Sequence, residues 1–342
     1  MLNLADSRKR EVPSPRLLLA AILMLIVSAS VSCSKNKSAE GSANANEVQK
    51  TFASPSEAGA ALLEAAKSGD RNKLKEIFGP DSKDLISSGD DVKDKNTLKR
   101  FVDAYSQMNR WSKNKAGSQI LFIGADNFPF PIPLSQNSSG RWAFNTAAGK
   151  DEVLARRIGD GELTAIGVLT EIANAQQEYF NRNHQYAEKI VSSEGKHDGL
   201  YWPTSENEPP SPLGRLGDLA KALGYSESDK PQPFDGYNYR MLTKQGDASK
   251  GGVMDYAAGG KMTGGFAVKA WPAKYGDSGI MTFIVGKDGV IYEKNLGETT
   301  SNDASNITAY NPSQGWVVVL APEQQPSVNA QKKHKQQLRS SE

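Results

Sequence analysis

The sequence predicts an α+β protein: a small helix-plus-antiparallel-sheet domain, followed by a domain with one long helix packed on an antiparallel sheet. Three observations carry this. In Glu162–Tyr186 (ELTAIGVLTEIANAQQEYFNRNHQY), Ile166, Leu169, Ile172, Ala173, Gln176, Tyr179 and Phe180 fall at steps of three and four, the spacing of one helix face. Upstream, helical spacing through residue 111 gives way to strand-like runs from Ser118. Downstream, Gly265–Glu293 is rich in β-branched and aromatic residues around the turn Lys287-Asp288-Gly289.

A chain of 342 residues accommodates two domains of ordinary size. Hydrophobic residues at 38% and charged residues at 23% match a soluble globular body. The net charge of +2 comes from the ends: residues 1–32 carry +2, residues 321–342 carry +2, and the body between them carries −2. Such a body has no electrostatic footprint for nucleic acid, so none is expected as a partner. The single cysteine, Cys33, rules out a disulfide within the chain and a cysteine-based zinc cluster. His184, His197 and His334 are too scattered to form a metal site.

Residues 1–16 are basic, and Leu17–Val27 is an apolar run of 11 residues, the length of a signal-peptide core and too short to span a bilayer comfortably. Residues 1–32 are therefore expected to be a signal peptide. Ser30-Val31-Ser32-Cys33 resembles a bacterial lipobox, with Ser30 where leucine is commonest. The resemblance implies two or three acyl chains on Cys33, enough for stable membrane anchoring. Ser34, rather than aspartate, implies by the same resemblance the outer membrane, facing the periplasm. The alternatives are an ordinary signal peptide with an incidental cysteine, or an uncleaved anchor. Residues 33–50 are small and polar and read as a flexible tether.

The first domain is expected over 51–158. Ser54-Pro55-Ser56-Glu57 is a helix start with a capping box, and Ala58, Ala61, Leu62, Ala65 and Ala66 form the buried face. Gly69-Asp70 ends that helix, a second carries Leu74, Ile77 and Phe78, and a third is expected over 92–111. SQILFIG (118–124) and RWAFN (141–145) read as strands, while PFPIPL (129–134) is extended and too proline-rich for a central strand. Asn137–Gly140 is a turn.

EVLARRI (152–158) and Gly159-Asp160-Gly161 read as the junction, and the second domain is expected over 159–320. After the long helix come KHDGLYWP (196–203), the loop SENEPPSPLG (205–214) and a short helix stopped by Gly224. Strands are expected at Tyr237–Thr243, Asp255–Ala257, Gly265–Trp271, Ile280–Val285 and Val290–Glu293. Residues 321–342 read as a disordered basic tail.

Helices followed by a meander ending in Trp142 and Phe144 resemble the cone-shaped nuclear-transport-factor-like fold, which implies a pocket that Trp111, Asp126, Phe128 and Trp142 would line. The long helix with Ala-Gln-Gln-Glu-Tyr-Phe, a variable loop and a sheet closing on Phe-Ile-Val-x-x-Asp-Gly-Val-Ile-Tyr resemble a pilin or pseudopilin head. The residues before Leu163 include Arg156, Arg157, Asp160 and Glu162, so the apolar half that packs a pilus filament is missing and a filament subunit is rejected. Over about residues 50–320 the chain resembles the bacterial family catalogued as domain of unknown function 2950. The phrases that carry the match include FGPDSKDLISSGD (78–90), FPFPIPL (128–134), FNTAAGKDEVLARRIGDGELTAI (144–166) and KHDGLYWP (196–203). That resemblance implies exported, mostly lipid-anchored proteins without an established activity.

No phosphate-binding glycine loop, Gly-x-Ser-x-Gly elbow, His-Glu-x-x-His or EF-hand loop is present, and no cofactor is expected. No catalytic set is assigned; the candidates are His197 and Asp198 with Glu206, a base beside carboxylates. No metal is assigned; Asp277, Asp288 and Glu293 near the last hairpin are the calcium candidates, by resemblance to some pseudopilin heads. The expected function is an exported, lipid-anchored binding or assembly module, tied to the membrane through Cys33 and to an envelope protein partner. The alternative is a hydrolase-like envelope enzyme using the His197/Asp198 loop or the pocket of the first domain.

Overall fold

Ser54 starts the first helix, α1 (Pro55–Ser68), and its hydroxyl accepts the Glu57 N–H at 3.2 Å. The Glu57 carboxylate reaches back to the N–H of Ala53 at 2.8 Å, one residue before the usual capping-box partner. In this computed structural model the described residues are 49–203, 208–225 and 232–320. The expected signal peptide, Cys33, the tether up to residue 48, Glu206 and the tail from 321 lie outside them. The described residues fall in one compact unit that begins at Glu47.

Gly69 closes α1 at φ 64°, and Asp70 caps α2 (Arg71–Phe78). A single turn, α3 (Lys83–Ile86), leads to α4 (Asp91–Gln107), capped by Asp90. The helix expected over 92–111 ends at Gln107. Met108 is extended, and Asn109–Lys113 forms β1, paired antiparallel with β2 (Gln119–Ile123) so that Trp111 faces Leu121. Sheet pairing overrides the helical spacing of that stretch. β3 (Phe128–Pro129), β4 (Leu134–Gln136) and β5 (Trp142–Phe144) complete a sheet of order β1-β2-β4-β5, with β3 on β2. Prolines 129, 131 and 133 lack N–H donors, which fits a β3 of only two residues. Phe52, Leu62, Leu74, Phe78, Leu134 and Phe144 form the core here.

Asn145 caps α5, which runs unbroken from Thr146 to Asn183, 38 residues. The stretch expected to be a junction is thus the first half of a helix that sequence spacing started only at Glu162. The boundary expected at 158 lies inside it. It ends at Asn183, three residues before Tyr186, where His184 adopts φ 54° and donates its N–H to the Phe180 carbonyl. The buried stripe is Ala165, Val168, Leu169, Ile172, Ala175, Gln176 and Tyr179. Ile166 and Ala173 pack at its margin. Gln176 is tolerated in the stripe because its amide closes a reciprocal pair with the backbone of Ala187, at 2.7 and 2.9 Å.

Beyond α5 lie a parallel pair, β6 (Lys189–Val191) with β7 (Gly199–Tyr201), and α6 (Gly214–Leu223), ended by Gly224. β8 (Tyr237–Leu242) is an edge of the second sheet. Two short ribbons follow, β9 (Lys244–Gln245) with β10 (Met254–Asp255) and β11 (Ala257–Ala258) with β12 (Lys261–Met262). Then come β13 (Ala267–Pro272), β14 (Met281–Gly286), β15 (Ile291–Asn295), α7 (Thr300–Asn306) and β16 (Val317–Leu320). The sheet order is β16-β15-β14-β13-β8, antiparallel throughout, and α5 packs on β13 and β14. The protein is therefore α+β, with one long helix on an antiparallel sheet. Lys269 on β13 is 1% exposed; its ammonium donates to the carbonyls of Ala304 and Ile307, ending α7, and burial pushes its pKa down to about 8.

A polar network, buried at Asp90, Lys93 and Asp277, joins the first-sheet elements to those of the second sheet. The Asp90 carboxylate accepts from the N–H of Lys93 at 2.9 Å, the Tyr225 hydroxyl at 2.8 Å and the N–H of Gly236 at 3.0 Å. Lys93 pairs with Asp160 at 3.0 Å and Asp235 at 3.1 Å. Arg157 donates to the carbonyls of Asp84 and Leu85, both at 2.7 Å, and to the Asp277 carboxylate. Lys274 bridges Asp277 and Asp84 at 2.8 and 2.9 Å.

Candidate functional site

Between the helices and one face of the first sheet lies a cavity of about 580 Å³. Leu62 and Ala66 of α1, Leu74 and Phe78 of α2, and Leu98, Phe101 and Ala104 of α4 wall one side. Ile123, Phe128, Phe130, Ile132 and Val153 wall the other. The size falls within the range of small-molecule sites. The segment 128–132 contributes because its prolines keep it from pairing as a full strand, which leaves Phe130, Pro131 and Ile132 free to line the cavity beside the half-exposed Phe128. Phe130 sits between Phe101 and Phe144, at centroid distances of 5.6 and 6.1 Å, which fixes that wall.

The rim is charged: Lys93, Asp94, Arg100, Arg156, Arg157 and Asp160. Arg156 donates to Glu152 at 2.6 Å and to the Pro129 carbonyl at 3.0 Å, and lies 4.7 Å over the ring of Phe128. Phe128 remains 52% exposed.

Of the four residues expected to line a pocket, the structure brings only Phe128 to the cavity. Trp111 and Trp142 are partly buried and pack against the first core, and Asp126 is exposed in the turn after β2. The sequence did hold a signal for the cavity: FPFPIPL combines apolar side chains with prolines, so those side chains cannot all belong to a sheet core.

His197 and Asp198 face different partners. His197 stacks on Trp202 at 4.3 Å and lies 3.9 Å from the Glu208 carboxylate. Asp198 accepts the Ser193 N–H at 2.7 Å, the Ser193 hydroxyl at 2.9 Å and the Lys189 ammonium at 3.0 Å. The Ser193 N–H above all, with Lys189 and the hydroxyl, holds its pKa at about 2 instead of 3.8. The arrangement organises a turn. A folded pKa below the unfolded one contributes stability above pH 4 that is lost as pH falls from about 4 to about 2. Asp198→Ala is expected to cost about 1 kcal/mol at pH 7, given the screening of a partly exposed group. Urea unfolding at pH 7 and near pH 2 checks this: the difference from the parent protein should shrink at the acid end.

The calcium candidates are separated by their own bonds. Asp277 is taken by Arg157 and Lys274. Asp288 accepts the Val290 N–H at 3.2 Å in an exposed turn. Glu293 lies on β15, its pKa raised by burial and by the charge of Glu162. Among the described residues no group of three or more His, Cys, Asp or Glu side chains is arranged to hold a metal ion. Nor, among them, is any helix long and apolar enough to cross a membrane.

Comparison with known proteins gives one match. A family model described as "Protein of unknown function (DUF2950)" covers residues 49–319. Neither the curated proteins nor the solved structures yield a match.

Proposed function

The chain belongs to the DUF2950 family of proteins of unknown function, and from that starting point we propose that it is a binding module that holds a small apolar ligand in the cavity beside its first sheet. The observation that carries the reading is the apolar wall of that cavity, built from Phe78, Phe101, Phe130 and aliphatic side chains around about 580 Å³. Burying a ligand there gains about 25 cal/mol per Å² of apolar surface removed from water. It also restores dispersion contacts that the lining side chains otherwise lack.

Helices placed before an antiparallel sheet support reading residues 51–158 as a nuclear-transport-factor-like cone. A long helix on a second sheet supports reading 159–320 as a pilin-like head. The lipobox-like Ser30-Val31-Ser32-Cys33 supports an exported protein, lipid-anchored through Cys33 in the outer membrane and facing the periplasm. An envelope would then supply both ligand and protein partner. No observation favours the enzyme alternative, since Asp198 is committed to Ser193 and Lys189.

The test is titration of the full chain with N-phenyl-1-naphthylamine, a neutral apolar fluorophore. Saturable binding at one site is expected, and Val153→Phe, which fills the cavity, should weaken it by about tenfold, the effect of losing about 1.4 kcal/mol. Leu98→Trp should act in the same direction. Unchanged titrations for both variants, with circular dichroism showing them folded, would remove the cavity as the site.

A further inference from the structure

We infer that the ligand of this cavity is a single-chain amphiphile with an anionic head, and that Arg100 receives the head. The inference rests on the binding reading above and adds the ligand's chemistry to it.

Most of the rim charge is already spent within the protein. Lys93 is held by Asp160 and Asp235. Asp94 is held by Arg71 at 3.2 Å and by the Ser88 hydroxyl at 2.6 Å. Arg157 divides its donors among two backbone carbonyls and Asp277. Arg156 is held by Glu152 and the Pro129 carbonyl. Arg100 differs: among the described residues its guanidinium donates to the Thr97 hydroxyl at 3.2 Å and no carboxylate pairs with it.

Lys93, Thr97 and Arg100 stand at i, i+4 and i+7 on α4, so Arg100 lies on the helix face that borders the cavity. Among the described residues the rim therefore carries one charge without an opposite partner, and it is positive. A ligand with a cationic head would be repelled by Arg100 and find no unpaired carboxylate on the rim among the described residues. A wholly neutral ligand would leave Arg100 in water and gain nothing from it. An anionic head completes it, because the planar guanidinium fork matches a carboxylate or a phosphate. The half-exposed ring of Phe128, with Arg156 laid on it, carries the apolar wall out to the rim where chain and head would meet.

The experiment is calorimetric titration of the full chain with four twelve-carbon probes below their micelle concentrations: dodecanoate, dodecyl phosphate, dodecanol and dodecyltrimethylammonium. At least one anionic probe should bind about tenfold or more tightly than dodecanol, the scale of one charge-assisted hydrogen bond. The cationic probe should bind weakest. The tighter of the two anions identifies a carboxylate or a phosphate head. Arg100→Gln should bring the anionic probes down to the affinity of dodecanol, and Arg100→Lys should restore part of the preference. Equal binding of all four probes, or a preference that survives Arg100→Gln, would overturn the head-group assignment while the apolar site stands. Absence of binding by every probe would overturn both.

Discussion

Arg157→Ala is expected to lower the stability of the folded chain by about 3–5 kcal/mol, the cost of stripping one partner from a buried ion pair. The side chains of Arg157 and Asp277 are 14% and 4% exposed. Removing the guanidinium leaves the Asp277 carboxylate with Lys274 alone and takes the donors from the carbonyls of Asp84 and Leu85. Those carbonyls belong to α3 beside the first sheet, and Asp277 belongs to the loop before β14, so the loss loosens the contact between both halves. Asp277→Ala should cost a similar amount, for the converse reason. Arg157→Lys should recover little, because one ammonium cannot serve two carbonyls and a carboxylate in the geometry of a planar fork. The double variant Arg157→Met with Asp277→Leu should lose less than the sum of the single alanine changes, since it buries no unpaired charge. Urea denaturation measures all four. A stability for Arg157→Ala within about 0.5 kcal/mol of the parent protein would mean that the pair is not formed in solution.

The same residues mark what could be read in advance. The cap at Ser54, the stops at Gly69-Asp70 and Gly224 and the hairpin at Lys287-Asp288-Gly289 depend on a few neighbouring residues, and local chemistry made them legible. The first half of α5 was not. Arg157 and Asp160 beside glycines have the composition of a solvated linker, and their partners lie far away in sequence: Asp84, Lys93 and Asp277. The helical spacing of Leu98, Phe101, Tyr105 and Met108 carries a predicted helix on to Trp111, and only the ladder with β2 decides otherwise. The cavity was half legible. A pocket in this region was expected, and Phe128 does line it. The rest of the wall comes from α1, α2, α4 and α5 meeting across nearly a hundred residues, which no single stretch encodes. With Asp198, the local turn to Ser193 prevailed over the adjacent histidine.

Gly161 offers the second large effect, and it bears on the misread junction. Gly159 and Gly161 looked like equivalent chain breakers, yet both sit inside α5. A methyl group at 161 would overlap the backbone carbonyl oxygen of Ser278, whereas one at 159 meets no atom within 4 Å. Gly161 is therefore the position at which the loop before β14 comes against the helix. Gly161→Ala is expected to cost about 1–3 kcal/mol through overpacking, the helix-propensity gain of about 1 kcal/mol being too small to reverse it. Gly159→Ala has only the propensity gain and should stabilise by up to about 1 kcal/mol. Ser278 adjoins Asp277, so the displaced loop also draws that carboxylate away from Arg157. Gly161→Ala combined with Asp277→Ala should then cost less than the two separately, as expected of sites that share one contact. Thermal unfolding of the two glycine variants side by side is the decisive comparison: equal midpoints would show that the loop does not rest on the helix at this point.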